Sequence, residues 1–192
     1  MTQFKSVRQL KIRGTQVTHC FSYFPNVIHL KLENYFQLPN QSIVDTLQQV
    51  LPLNQLKTIS ITDVNFPFYE LHNILHLTPN IHSIKLKQLV LFPSSTFQSF
   101  VQVKSLTSDQ ICTLDIFKLI LQTFPNLNFI KIGIHLQELK AILDHILAQT
   151  DHQLRSVCLS DLPKRCTKEL KDYPMIKRFL FKLINRQLYL WW

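Results

Sequence analysis

The chain has 192 residues, 46% of them hydrophobic, and carries a formal charge of +9 from 21 basic and 12 acidic side chains. That apolar content supports a continuous core and excludes a disordered chain, while two glycines, Gly14 and Gly133, are too few for a phosphate-cradling loop or a dinucleotide fingerprint. No apolar run reaches the roughly 18 residues of a bilayer span, and the first residues, Met1 to Arg8, lack the apolar stretch and small-residue cleavage site of a secretory signal.

In chain order, a six-residue pattern recurs: apolar, two of any kind, apolar, any, apolar. It runs Val7–Ile12 and Val27–Leu32. A helical stripe follows, made of Ile43, Val44, Leu47, Val50 and Leu51, with Ser42 placed to cap it. The pattern returns at Leu56–Ile61, before a second stripe begun by Leu71, Ile74 and Leu75, and again at Ile81–Leu86. A weaker copy, Val103–Leu106, precedes Ser108-Asp109 and a stripe of Ile111, Leu114, Phe117, Ile120 and Leu121. The pattern recurs at Leu127–Ile132, before Leu136, Leu139, Ile142, Leu143, Ile146 and Leu147, and at Leu154–Leu159, with a last weak copy at Ile176–Phe181. Steps between copies run from 20 to 29 residues. Alternation inside each copy predicts a short strand, and each stripe predicts a helix.

The lead-ins repeat as well. Phe24-Pro25-Asn26, Thr78-Pro79-Asn80 and Phe124-Pro125-Asn126 stand directly before strand motifs, and Tyr173-Pro174-Met175 does so near the end. Proline ends a helix and holds the preceding residue extended. One strand plus one helix cannot bury both of its apolar faces alone, so neighbouring units must stack.

These motifs resemble leucine-rich-repeat proteins, and most closely the substrate-binding arm of F-box/leucine-rich-repeat proteins. The resemblance covers nearly the whole chain. It implies an α/β solenoid, a horseshoe of seven to eight irregular repeats with parallel strands on the concave side and helices on the convex side. It also implies one domain over residues 1–192, with 163–192 as a modified C-terminal cap. Two departures stand out. The ninth repeat position holds Tyr35, Val64, Leu89, His135 and Leu162 instead of the family's Asn or Cys. The buried amide ladder of the family is therefore expected to give way to apolar packing. In addition, the first strand motif begins at Val7, so no F-box segment is expected within this chain ahead of it.

With the apolar positions turned inward, positions three, five and seven of each motif face the open side of the sheet. The expected partner-binding residues are Lys11, Arg13, His29, Lys31, Ser60, Lys85, Lys87, Phe129, Lys131, Cys158 and Arg178. Lysine recurs at position five, and a row of like charge calls for an acidic partner. The plainer reading is that the lysines keep an exposed sheet soluble and prevent stray pairing. Trp191 and Trp192 are expected to close the end of the core, or else to anchor a partner.

Catalytic chemistry finds little support. His72 and His76 lie four apart, but the residues between them, Asn73-Ile74-Leu75, lack the glutamate of a zinc-protease motif, and both histidines are read as helix-surface residues. Cys158, with Cys166 and His152 nearby, is expected on the exposed strand face without an orienting acid or base. Asp109 with Asp115, and Glu138 with Asp144, read as solvated pairs. The four cysteines, Cys20, Cys112, Cys158 and Cys166, form no CxxC pair and are expected to be free thiols in a cytoplasmic or nuclear setting. The expectation is a non-enzymatic, monomeric protein-binding module without cofactor, metal or membrane partner. If the F-box kinship holds, its target is a protein destined for ubiquitination. Binding of nucleic acid or another polyanion is the alternative, weakened because Phe129 is the single aromatic among the lysines. A degenerate or truncated fragment is the third reading.

Overall fold

Alternating strand residues and one-sided helices give a mixed α/β structure. The computed structural model describes residues 2–14, 22–34, 42–64, 66–88, 99–148, 153–162 and 180–191. The chain divides into two compact units, Met1–Val90 and Leu91–Trp192.

In the first unit, β1 (Thr2–Gln3) pairs in parallel with β3 (Ser22–Tyr23). A separate set of parallel strands runs in the order β2 (Gln9–Arg13), β4 (His29–Glu33), β5 (Thr58–Ile61) and β6 (Ser83–Leu86). Each lies on a predicted motif. Leu30, Leu32, Ile59, Ile61, Ile84 and Leu86 are buried, as are Val27, Leu56 and Ile81 at the first motif position. Two helices supply the facing apolar layer. Helix α1 (Ile43–Val50) buries Ile43, Val44, Leu47 and Val50. Helix α2 (Phe68–His76) buries Phe68, Leu71, Ile74 and Leu75, and the two helices pack together. Each fully buried Leu or Ile contributes about 1.5–3 kcal/mol. As expected, Ser42 caps α1, its hydroxyl accepting from the Val44 N–H.

In the second unit the strands run β10 (Leu180–Ile184), β11 (Gln187–Trp191), β9 (Ser156–Ser160), β8 (Phe129–Ile134), β7 (Ser105–Cys112). The last three are mutually parallel. Helices α3 (Leu114–Thr123) and α4 (Leu136–Ala148) pack on each other. The wholly parallel sheet expected from the motifs needs correction here. Strand β11 is antiparallel to both β9 and β10. The last weak motif copy therefore does not extend the parallel ladder; β11 stands between it and β9. The two-residue turn Asn185-Arg186, with φ of 48° and 64°, produces this reversal, as a type I′ hairpin turn requires. Strand β10 is the outer strand and leaves Leu180, Phe181 and Ile184 exposed. Residues 163–179 of the expected cap lie outside the described residues.

A second correction concerns the third helical stripe. Ser108-Asp109 and Ile111 belong to β7, and the helix starts after Thr113, whose hydroxyl accepts from the Ile116 N–H. The Ser108 hydroxyl accepts from the Gln110 N–H, holding a bulge where the β7–β8 register shifts. The bulge brings the Gln110 carbonyl to 3.1 Å from where a Cβ on Gly133 would sit, so any larger residue there requires the neighbouring backbone to give by a few tenths of an ångström.

The repeat is visible in backbone detail. The Arg8 carbonyl accepts from both Ile28 N–H and His29 N–H, that of Ile28 from Lys57 and Thr58, and that of Lys57 from His82 and Ser83. In the second unit the Lys104 carbonyl serves Asn128 and Phe129, and the Asn128 carbonyl serves Arg155 and Ser156. Every acceptor is the second residue of a motif. The eighth motif position takes positive φ at Gly14 (84°), Asn34 (49°) and Asp161 (66°), and Gly, Asn and Asp are the residue types that tolerate this conformation best.

A series of side-chain amide bonds exists at the residue just before four of the motifs. Asn26 donates to the Lys5 carbonyl at 2.6 Å, Asn80 to that of Asn54 at 2.7 Å, and Asn126 to that of Val101 at 2.9 Å. Gln55 donates to Pro25 at 2.5 Å and to Val27 at 3.1 Å. These amides are exposed or half-buried and stand outside the ninth position, where the described residues carry no Asn or Cys. At the ninth position, Val64 and His135 are exposed and Leu162 is buried, while Tyr35 and Leu89 lie outside the described residues.

Glutamates repeat across helix pairs. Glu138, third residue of α4, accepts at 3.0 Å from the N–H of Leu114, first residue of α3. Glu70, third residue of α2, accepts from the backbone of Ile43, first residue of α1. Each carboxylate meets the positive end of a neighbouring helix. Glu138 is thus a helix cap and not a solvated surface acid.

Candidate functional site

Parallel register brings the position-five residues of the first unit into one row: Lys11 opposite Lys31, Lys31 opposite Ser60, Ser60 opposite Lys85. Neighbouring strands lie about 4.8 Å apart, so these side chains share one short strip. Two more rows flank it. One is Gln9, His29, Thr58 and Ser83; the other pairs Arg13 with Glu33. Lys85 and Lys87 are exposed; His29 and Ser60 are partly so.

The row is not an array of cations awaiting an outside anion. Glu33 sits among three of them. Lys11 Nζ and Lys31 Nζ each lie 2.6 Å from its carboxylate, one on each oxygen. Arg13 donates to Oε2 from Nη2 at 2.9 Å and from Nε at 3.2 Å. The side chain of Glu33 is 14% exposed, against 48% for Lys11, 43% for Lys31 and 66% for Arg13. Hydrogen bonds from Lys11, Lys31 and Arg13 hold its carboxyl well below the usual range, at about 2. Isolated surface pairs contribute little, but this network fixes three long side chains in place and stays net cationic. Its hub was readable in principle: Glu33 lies two residues from Lys31 on one strand, hence on the same face.

The same face of the second unit differs. Thr107, Lys131, Cys158, Tyr189 and Lys182 form one row, and Ser105, Phe129, Ser156, Trp191 and Leu180 another. Phe129 and Lys131 are half-buried. Cys158, expected on the exposed face, is fully buried, and the antiparallel strand β11 is the reason. Tyr189 stands opposite it, and the thiol points to Gln187 Oε1 at 3.8 Å, which also accepts from the Tyr189 hydroxyl at 2.6 Å. Burial pushes the Cys158 thiol upward, outweighing Tyr189 and Lys131, which act in the opposite direction. Burial likewise pushes Cys112 up to about 12. Neither thiol has the low pKa and access that a nucleophile needs. Ser160, at position seven, is also buried, its hydroxyl donating to the Ile132 carbonyl. Trp191 remains exposed and stacks on Tyr189, with ring centroids 6.0 Å apart; Leu188 and Leu190 enter the core instead. Arg178, Trp192, Cys20, Cys166 and His152 lie outside the described residues.

The structure thus brings Lys11, Arg13, His29, Lys31, Ser60 and Lys85 together on one surface, with Lys87 at the strand end. It removes Cys158 from any such surface. Among the described residues, no group of three or more His, Cys, Asp or Glu side chains is arranged to hold a metal ion, and no helix is long and apolar enough to cross a membrane. Comparison with protein-family models, curated proteins and solved structures gives no significant match.

Proposed function

We propose that this chain is a non-catalytic recognition module, a leucine-rich-repeat-like solenoid that binds another protein through the charged strand face of its first unit. The observation that carries this reading is the in-register row Lys11, Lys31, Ser60, Lys85 with Glu33 clamped between three cations. Lys11, Lys31 and Arg13 are ion-paired to Glu33 before any partner arrives, which lowers the ordering cost of binding. The row presents both signs of charge within one patch. Three cations surround the largely covered Glu33 carboxylate, so the patch stays net positive and an acidic protein surface complements it. Nor does an aromatic row interleave with these lysines to stack bases.

The test compares capture by the intact chain and by a variant combining Lys11→Glu, Lys31→Glu and Lys85→Glu. Lys57→Glu, an exposed change outside the row, serves as control. A specific protein partner should be lost with the triple variant and kept with the control. Retention by the triple variant rejects the surface. Binding of random RNA or DNA that falls steeply between about 50 and 200 mM salt would instead indicate a polyanion site.

A further inference from the structure

We propose that His72 and His76, one turn apart on α2, form a two-imidazole chelate for a divalent late-transition-metal cation such as Zn2+, Ni2+ or Cu2+, with water in the remaining positions. Their Nε2 atoms lie 3.3 Å apart. The ring centroids are farther apart, at 4.4 Å, so the nitrogen-bearing edges lean together. Two imidazole nitrogens bound to one tetrahedral zinc ion, each about 2.0–2.1 Å from it, stand roughly 3.3 Å apart. The two rings already have that spacing.

The helix makes the arrangement durable. Residues four apart share one face, and the buried Leu71, Ile74 and Leu75, before and between the two histidines, anchor α2. His76 is exposed and His72 half-buried, so an ion reaches the two nitrogens from solvent. Without metal, the same spacing accommodates one N–H···N contact. When an ion binds, the shared hydrogen moves to the outer Nδ1 of the donating ring, and both Nε2 lone pairs face the metal.

The donor set selects the cation. Imidazole suits Zn2+, Cu2+ and Ni2+, whereas Mg2+ and Ca2+ require oxygen ligands. With two protein ligands the ion keeps open positions, unlike a closed structural zinc site. Isothermal titration of the intact chain with Zn2+ tests the assignment, using His72→Gln, His76→Gln and, as control, His82→Gln, a change at an exposed residue outside α2. Circular dichroism confirms that each variant is folded. Either helix substitution should weaken Zn2+ binding by about tenfold or more, because the second imidazole acts as an intramolecular ligand at high effective concentration. The control should bind as the parent does, and Mg2+ should not bind. Unchanged Zn2+ affinity in the His76→Gln variant, or Zn2+ binding that His82→Gln removes equally, overturns the proposal.

Discussion

Replacing Gln55 by Ala tests whether the side-chain amide bonds ahead of the motifs stabilise the first unit. Gln55 donates to two carbonyls, those of Pro25 at 2.5 Å and Val27 at 3.1 Å. Each such bond contributes a net of about 1 kcal/mol, so the loss should be about 2 kcal/mol. Asn80→Ala removes one bond at an exposed position and should cost about half as much. Gln55→Glu keeps the size but replaces the donor with an oxygen aimed at two carbonyls, so it should be at least as harmful as Ala. Gln48, on the exposed side of α1, is the control, and Gln48→Ala should stay within about 0.5 kcal/mol of the parent. Urea unfolding followed by far-ultraviolet circular dichroism supplies the free energies. A Gln55→Ala variant as stable as Gln48→Ala would refute the role of these bonds.

The two helix-capping glutamates should respond in opposite directions to one substitution. Burial, and then Asp45, raise the pKa of Glu70 against the lowering effect of the Ile43 backbone. Glu70→Gln keeps an acceptor without a buried charge, so it should stabilise at pH 7, and the gain should fade as acid protonates the parent carboxyl. Glu138→Gln weakens a charge-assisted bond at a helix N-terminus and should cost about 0.5–1 kcal/mol; urea titrations at pH 7 and pH 5 distinguish the two. The Glu33 network sets a third expectation. Its folded pKa is depressed from 4.5 to about 2, so its contribution is complete above pH 4.5 and disappears as pH falls through about 2. A pH series of thermal melts should have a shallower acid limb in Glu33→Gln, and an identical limb would show that the network does not stabilise the fold.

Most of the strand positions could be read from alternation alone, because one buried face imposes a period of two on every copy from Val7 to Leu159. Helix α1 was legible down to its Ser42 cap for a similar reason. Position eight was harder: Gly14, Asn34 and Asp161 share a backbone conformation but not a residue type, so similarity of letters hides similarity of geometry. The reversal at Asn185-Arg186 escaped because Arg stands where a hairpin turn favours Gly. That omission misplaced Cys158, since the strand that covers it was not foreseen. The lysine row was foreseen, but its electrostatics depended on side chains of three neighbouring residues converging on Glu33. Pairing of that kind follows from register across strands and from rotamers, neither of which a linear pattern specifies.

The hairpin at the end of the second unit has a consequence for how the protein behaves in a crowd of its own copies. A stack of parallel strands is a polymer without an inherent stopping point, since its last strand is a template for the next. Strand β10 leaves Leu180, Phe181 and Ile184 exposed, yet its middle residue is the exposed Lys182. Two copies meeting edge to edge about that centre would set lysine against lysine, a repulsive pairing. The exposed Lys182 at the centre of the strand thus works against that self-pairing of two β10 edges.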